Sequence, residues 1–487
     1  MLFPHNWIVA AISLLTLGWH PLGAVEPGSL WNKRPNIIFI ITDDQGYGDA
    51  SCHGNPVLKT PWLDRLHSES ARFTDFHVSP TCSPTRSALI TGRHEFRNGV
   101  THTILERERL TLRATTLAQI LARSGYRTGI FGKWHLGDEA RYQPNRRGFQ
   151  EVFIHGGGGI GQTFPGSCGD APGNTYFDPA ILHNGRFART RGYCTDVFFN
   201  QAMSWMKAQH QEGPVFAWIA CNAPHVPLQV RPEDEARYSG KHSNTNAVKF
   251  MGMVANIDDN LGRLLRSLNE WGIEQETLVI YMTDNGADAG SFVWDGGMRG
   301  KKGTAFLGGT RAISFWRWPG SIQPGDRKGL TAHIDVFPTL ASIAGVSLDP
   351  RLRKQVEGRD LGPLLVSPQA PWADRVLFTH LGRWEKGASP DTTKYRQCAV
   401  RTSRWQLVSA QGAREPRWML FDVSTDYSQQ TDVLQQHPQV AAELSGRFEH
   451  WWEGVQPLLV NERARGPAEN PFKVLYRKQP PSASDTP

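Results

Sequence analysis

Residues 36–42 form an unbroken apolar run closed by Thr42, the pattern of a strand buried on both faces rather than one that alternates between core and solvent. Similar short runs recur at 126–131, 215–220, 278–283 and 313–317. Between them lie longer stretches at 116–124, 195–210 and 247–271 whose apolar positions fall at helical spacing. Strands alternating with helices predict an α/β fold, a large mixed and mostly parallel sheet sandwiched by helices, over residues 35–365. After about residue 365 the texture changes. Short strand candidates at 375–380, 397–402, 405–409 and 418–422 follow one another across turns, and an amphipathic pattern runs through 438–454. These features predict a smaller C-terminal antiparallel sheet and helix subdomain at 366–475, followed by a Pro- and Ser-rich disordered tail at 476–487.

Ahead of the first strand, the apolar residues 7–17 lead to Gly18, Pro21, Gly23 and Ala24, which predicts a signal peptide at residues 1–24. It departs from the usual pattern in having only the amino terminus and His5 as positive charge before the apolar run. The run is shorter than a typical membrane span, and no stable membrane insertion is expected after cleavage. The chain carries no Asn-x-Ser/Thr glycosylation site, and this tilts the expected location towards a bacterial periplasmic or secreted protein. In an oxidising compartment Cys168 and Cys194 could pair across a Gly- and Pro-rich insertion, although the sequence does not fix the connectivity.

A net charge of +7 and a pI near 9.1 favour anionic ligands, because a basic field raises their local concentration. The lysines and arginines are spread along the chain rather than gathered with interleaved aromatics, so no nucleic-acid partner is expected.

The chemistry gathers at predicted strand ends, where open α/β sheets bind their ligands. Asp43 and Asp44 directly follow the first buried run, and Asp284 and Asn285 directly follow 278–283. Each pair alone would serve equally well as a turn. Together they offer hard oxygens, which suit Ca²⁺ or Mg²⁺ better than zinc. Between them in sequence Cys82, Ser83, Pro84, Thr85 and Arg86 lead into a helix-like stretch at 87–91. An isolated cysteine is usually a small buried hydrophobe. Here Lys133 and His135 also follow a predicted strand, His225 sits between Pro224 and Pro227 after another, and Lys301 and Lys302 precede Gly308, Gly309, Thr310 and Arg311.

That ordered set of motifs, from about residue 35 to residue 344, resembles the type I sulfatase family, the formylglycine-dependent, arylsulfatase-like branch of the alkaline phosphatase superfamily. The resemblance implies that a maturation enzyme reads the Cys82 motif, Pro84 included, and oxidises Cys82 to formylglycine. It implies one Ca²⁺ held by Asp43, Asp44, Asp284, Asn285 and an oxygen of the modified Cys82. Catalytic roles would fall to Cys82, Arg86, Lys133, His135, His225 and Lys302. A thiolate attacking sulfur would form an adduct with no easy exit. A hydrated aldehyde attacks with one hydroxyl and, when the other loses its proton, expels sulfate.

In this scheme Arg86 returns from the helix start to the diol and metal, and Lys133 meets a sulfate oxygen as a point charge. His135 holds and helps to deprotonate a diol hydroxyl, while His225 reaches the leaving oxygen as an acid. Lys302 is chosen over Lys301 by its spacing from the Gly-Gly-x-Arg run. Two positions depart from the family. Leu307 stands where a glutamate is expected, and only His155 is available for a further Ser or His near Gly156.

The expected activity is that of a sulfuric ester hydrolase acting on a sulfated small molecule or saccharide. Specificity should come from rim segments 156–176, 186–191 and 383–396, whose Trp and Arg content suits sugar rings and their charges. Two alternatives remain open: a phosphonate monoester or phosphodiester hydrolase of the same superfamily, and a catalytically silent carbohydrate-binding homologue. The complete set of candidate residues speaks against the second.

Overall fold

The computed structural model describes residues 29–460 and 466–480, so the signal-peptide segment lies outside the described residues. The first lobe is built on β1 (Asn36–Thr42), β2 (Ala71–Phe73), β3 (Phe76–His77), β4 (Arg127–Lys133), β5 (Glu151–His155), β6 (Ala180–His183) and β7 (Arg186–Arg189). It continues with β8 (Val215–Ala220), β9 (Thr277–Thr283), β10 (Ser314–Arg317), β11 (Gly325–Arg327) and β12 (Thr331–Ala332). Ten of these strands form one sheet in the order β11-β2-β10-β9-β1-β8-β4-β5-β6-β7, while β3 and β12 pair separately. The five central strands, β9-β1-β8-β4-β5, run parallel, and antiparallel neighbours extend the sheet on both sides.

The unbroken apolar run of β1 has a direct structural reason. Ile37, Phe39 and Ile41 enter a core shared with the helices Cys82–Thr91, Leu117–Arg123 and Val336–Ile343. Ile38 and Ile40 face the opposite core, against the helices Pro61–Ser68, Cys194–Gln209 and Thr245–Glu270. A strand covered by helices on both faces needs apolar side chains at every position.

Some expectations shift. The strand expected at 126–131 runs two residues further, so Gly132 and Lys133 belong to its end. Gly132 has φ 115°, and an added Cβ would collide with the carbonyl oxygen of Ala220 on β8, so only glycine allows the two strands to approach there. The 313–317 run forms β10, which is antiparallel to β9. Cys168 and Cys194 are free thiols: Cys194 lies among Phe198, Phe199 and Cys221, whereas Cys168 sits against Glu108 and Asp138.

The second lobe is an antiparallel sheet, β13 (Leu377–His380), β14 (Cys398–Arg401), β15 (Trp405–Ser409) and β16 (Trp418–Asp422), covered by the helix Pro438–Val455. A final helix, Pro471–Lys478, takes up residues 476–478, which composition alone assigns to a disordered tail. Asn470 caps it through Lys473 N–H, and Phe472 enters the core of the first lobe rather than the second. No helix among the described residues is long and apolar enough to cross a membrane.

Candidate active site

Four neighbouring strand ends, those of β9, β1, β8 and β4, deliver Asp43, Asp44, Asp284, Asn285, Lys133, His135 and His225 to one edge of the sheet. Asp43 and Asp44 follow β1, with Asp44 in the left-handed region at φ 68°. Asp284 and Asn285 follow β9, and the Asp284 Oδ1 accepts the Asp44 N–H at 3.2 Å, which locks the two pairs together. Lys133 ends β4 and its Nζ lies 2.5 Å from Asp43 Oδ2. On the far side Lys302 Nζ lies 2.5 Å from Asp44 Oδ2.

Cys82 opens a helix in which every residue is buried. Arg86 lies one turn further on and donates to Asp284 Oδ2 from Nη2 at 2.9 Å and from Nε at 3.2 Å. Its Nη1 also donates to the Lys133 carbonyl at 3.4 Å. Ligand atoms of Asp43, Asp44, Cys82 and His225 all lie within 4.8 Å of one another.

The tautomers of the two histidines follow from their backbone bonds. His135 donates from Nε2 to the Thr103 carbonyl at 2.8 Å, which leaves Nδ1 buried, unprotonated and without a partner among the described residues. Burial, then Lys133, holds this ring well below the usual imidazole range. His225 donates from Nδ1 to the Val226 carbonyl at 2.6 Å, so its Nε2 faces Asp44 Oδ2 at 3.7 Å. Its pKa is lowered to about 4, chiefly by burial and against the pull of Asp44.

The acids respond differently to similar burial. Burial opposes the charge on Asp44, but Lys302 and His225 outweigh it and hold the carboxyl below the usual range. Burial, then the Asp43 carboxylate, pushes Asp284 upward. The Cys82 thiol is also pushed up by burial and then by Asp43.

These residues fit a hard divalent cation. Asp43 Oδ1 and Asn285 Oδ1 are buried with no hydrogen-bond partner among the described residues, which is costly for oxygens that nothing completes. Asp43, Asp44, Asp284 and Asn285 would hold the ion, and their donor set is the oxygen-rich one that Ca²⁺ prefers.

A cavity of about 190 Å³ opens onto this floor, lined by Cys82, His135, His225 and Lys302 below and by His102, Gln162, Phe164 and Arg383 above. A larger cavity of about 700 Å³ runs between the lobes past His94, Arg375 and Trp451, and contains none of these residues.

All ten candidate residues therefore meet at one place. Lys301 points elsewhere, its ammonium 5.6 Å from the Phe292 ring. Leu307 is buried against the second lobe in a cluster with Phe306, Val408 and Phe421, a setting in which an unpaired glutamate would be expensive. His155 ends β5 opposite Lys133 and stacks on Phe198, behind the site rather than in the cavity lining. His102 and the Thr103 carbonyl carried no motif in the sequence. Gln162 and Arg383 lay within the expected rim segments 156–176 and 383–396 but had no mark of their own.

The Sulfatase family model matches residues 35–346. The chain is 33% identical over 465 residues to arylsulfatase A of Homo sapiens, covering 84% of this chain and 85% of that one. It is 31% identical over 397 residues to the N-acetylgalactosamine-6-sulfatase of Rattus norvegicus, covering 76% and 71%. The crystal structure of Ps i-CgsB in complex with k-i-k-neocarrahexaose matches with a TM-score of 0.77 at 27% identity, over 93% of this chain and 99% of that one.

Proposed function

The chain belongs to the sulfatase family and is a sulfuric ester hydrolase, and from that premise we propose that it cleaves sulfate monoesters of a saccharide through a formylglycine made from Cys82 and a bound Ca²⁺. The observation that carries the proposal is the meeting of Cys82 and Lys302, which line the cavity, with three buried carboxylates, two unpartnered oxygens, Arg86 and Lys133 packed beneath it. The saccharide is supported by the carrahexaose complex of Ps i-CgsB and by the basic charge of this chain. Export through the N-terminal apolar segment, to the periplasm or outside the cell, belongs to the same proposal.

As a thiol, Cys82 is kept protonated by burial and Asp43 and is a weak nucleophile. Converted by a maturation enzyme, it would supply a hydrated aldehyde, with one hydroxyl to attack sulfur and a second whose deprotonation expels sulfate. Bound Ca²⁺ would add positive charge where the ester oxygens and the nucleophile meet.

The remaining work falls to side chains already in place. Lys133 and Lys302 flank the floor and offer fixed positive charge to sulfate oxygens as charge develops on them. Arg86 holds Asp284 in register with the helix that carries Cys82. The free Nδ1 of His135 accepts a proton from the nucleophile's side, with the Thr103 carbonyl fixing the ring. An arriving sulfate ester places negative charge beside His225 and favours its protonated form, which lets Nε2 donate to the leaving oxygen.

Two measurements test the proposal. The mass of the peptide containing Cys82 should show replacement of the thiol by an aldehyde in active preparations. The Cys82→Ala protein should fold with unchanged circular dichroism yet lose aryl sulfate turnover by roughly 10⁴-fold or more. Retained turnover in that variant would end the covalent scheme, and a clear preference for an aryl phosphodiester over an aryl sulfate would count against the substrate class.

A further inference from the structure

We propose that Arg383 and His102 form a second anion subsite at the mouth of the catalytic cavity, one that binds a sulfate or carboxylate on the leaving-group side of the substrate. The proposal rests on the sulfatase reading of the floor beneath. Arg383 comes from the loop after β13 in the second lobe, yet it lines the same cavity as Cys82 and Lys302. It makes no ion pair with any described residue, and its Nε is buried without a hydrogen-bond partner. Of the two cations lining the cavity, Lys302 is hydrogen-bonded to Asp44, while Arg383 is hydrogen-bonded to no carboxylate. Burial lowers the pKa of Arg383, with Arg396 adding to the effect and Cys82 and Asp44 opposing it. A largely enclosed guanidinium without an anion is costly, and an anionic ligand removes that cost.

The loop that presents Arg383 is held on both sides. Gly382 has φ 76°, and an added Cβ would strike the Thr101 carbonyl oxygen; its N–H donates to His380 Nδ1 at 2.8 Å. Trp384 is buried, with the Arg107 guanidinium 4.1 Å from its ring centroid and Arg107 Nη1 donating to its carbonyl at 2.9 Å. Arg383 is thus fixed at its base by its neighbours and free only at its head.

His102 supplies the second donor. Its Nδ1 accepts the N–H groups of Thr103 at 2.8 Å and Ile104 at 3.0 Å, so its proton resides on Nε2. Burial and then Arg383 keep the ring neutral, at about 3.

Depth separates Arg383, though not the buried His102, from the reacting Cys82. Cys82, Lys133 and His135 are at most 2% exposed, whereas Arg383 is partly exposed and Phe164, on the same wall, is 44% exposed. With Phe164 and Ile104 as apolar sides, a sugar ring could sit above the floor, its reacting sulfate directed downward and a second anionic group facing the guanidinium fork.

The experiment uses the matured full-length enzyme and its Arg383→Gln variant. The substrates are an aryl sulfate with no second charged group, a monosulfated galactoside, the same galactoside with a second sulfate, and the same galactoside linked to glucuronate. The wild type should prefer a doubly anionic substrate. The variant should lose on the order of 10- to 100-fold in kcat/KM on that substrate and stay within about 3-fold on the other two. Whether the disulfated or the glucuronate substrate suffers identifies the anion. Equal loss on all substrates would place Arg383 on the reacting sulfate or in the fold, and no loss on any would remove the subsite; either result overturns the proposal.

Calorimetry on Cys82→Ala protein, with and without Arg383→Gln, asks the same question without turnover. Weaker binding of the doubly anionic saccharide alone supports the subsite, and unchanged binding overturns it. A converted wild type that hydrolyses no sulfate ester would refute the floor chemistry, while this binding comparison would still decide the subsite.

Discussion

Lys301 and Lys302 are neighbours in sequence with opposite prospects. Lys302 Nζ is within 2.5 Å of Asp44 and borders the cavity, whereas Lys301 is exposed beside Phe292. Lys302→Ala is expected to lower kcat for an aryl sulfate by roughly 10²-fold or more, the usual cost of losing a preorganised charge, while Lys301→Ala should change it by less than about 3-fold. Steady-state kinetics on the two matured variants decides this, and similar losses in both would contradict the assignment. Asp43, Asp44, Asp284 and Asn285 were legible because each pair is contiguous and follows an unmistakable buried strand. Arg383 was legible only as the first residue of a rim segment, because its place over the cavity depends on how the second lobe docks over the first, and no local periodicity encodes that. Leu307 was legible only as a departure; its reason, an apolar contact with Val408 and Phe421, lies in residues about a hundred positions away.

At the level of elements, β1, β4, β8, β9, β10 and the long helices declared themselves by pattern, but the central strand β5 was not among the expected runs, and neither were the short strands β2, β6, β7 and β11. Those strands have three or four residues and mix polar with apolar positions, too little for a period to show. The end of β4 was misjudged because Gly132 weakens strand propensity while permitting the close approach to β8. Gly132→Ala should therefore destabilise by roughly 2–4 kcal/mol and displace Lys133, seen as a lower denaturation midpoint together with reduced turnover. A midpoint equal to the wild type's would show that the strand end tolerates a side chain.

The last helix is tied to the first lobe by Asn470 Nδ2, which donates to Asp138 Oδ2 at 3.0 Å and to the Ser167 carbonyl at 2.8 Å. Burial pushes Asp138 up to about 8 and Glu108 up to about 7. In the unfolded chain both carboxyls would be ionised above about pH 4, so between about pH 4 and about pH 8 the folded state binds more protons. These two groups should thus make stability fall as pH rises through that window. Asp138→Asn should flatten the decline in Tm, and an unchanged slope would refute the assignment.

Across the whole molecule, the acidic floor and its cations are matched in number, with Asp43, Asp44 and Asp284 facing Arg86, Lys133 and Lys302. A divalent ion that completes Asp43 Oδ1 and Asn285 Oδ1 would bind the folded state alone and stabilise it by mass action. Chelation should lower Tm and abolish turnover, with Ca²⁺ restoring both better than Zn²⁺; recovery with Zn²⁺ alone would refute an oxygen cage. The two-lobe division and the parallel core were readable from strand and helix alternation. The placement of the final helix on the first lobe was not, since it depends on Phe472 and Asn470 finding distant partners.

The helix that begins with Cys82 is buried at each of its residues, including the five that a maturation enzyme would have to grip. Under the proposed conversion, completing the fold withdraws the substrate from its modifier, so the two events form a race that the modifier must win. A molecule that folds first is locked out for as long as it stays folded. The active fraction of a preparation then records how fast chains were produced relative to how fast they were modified, a property of their history that no later adjustment of buffer or calcium can rewrite.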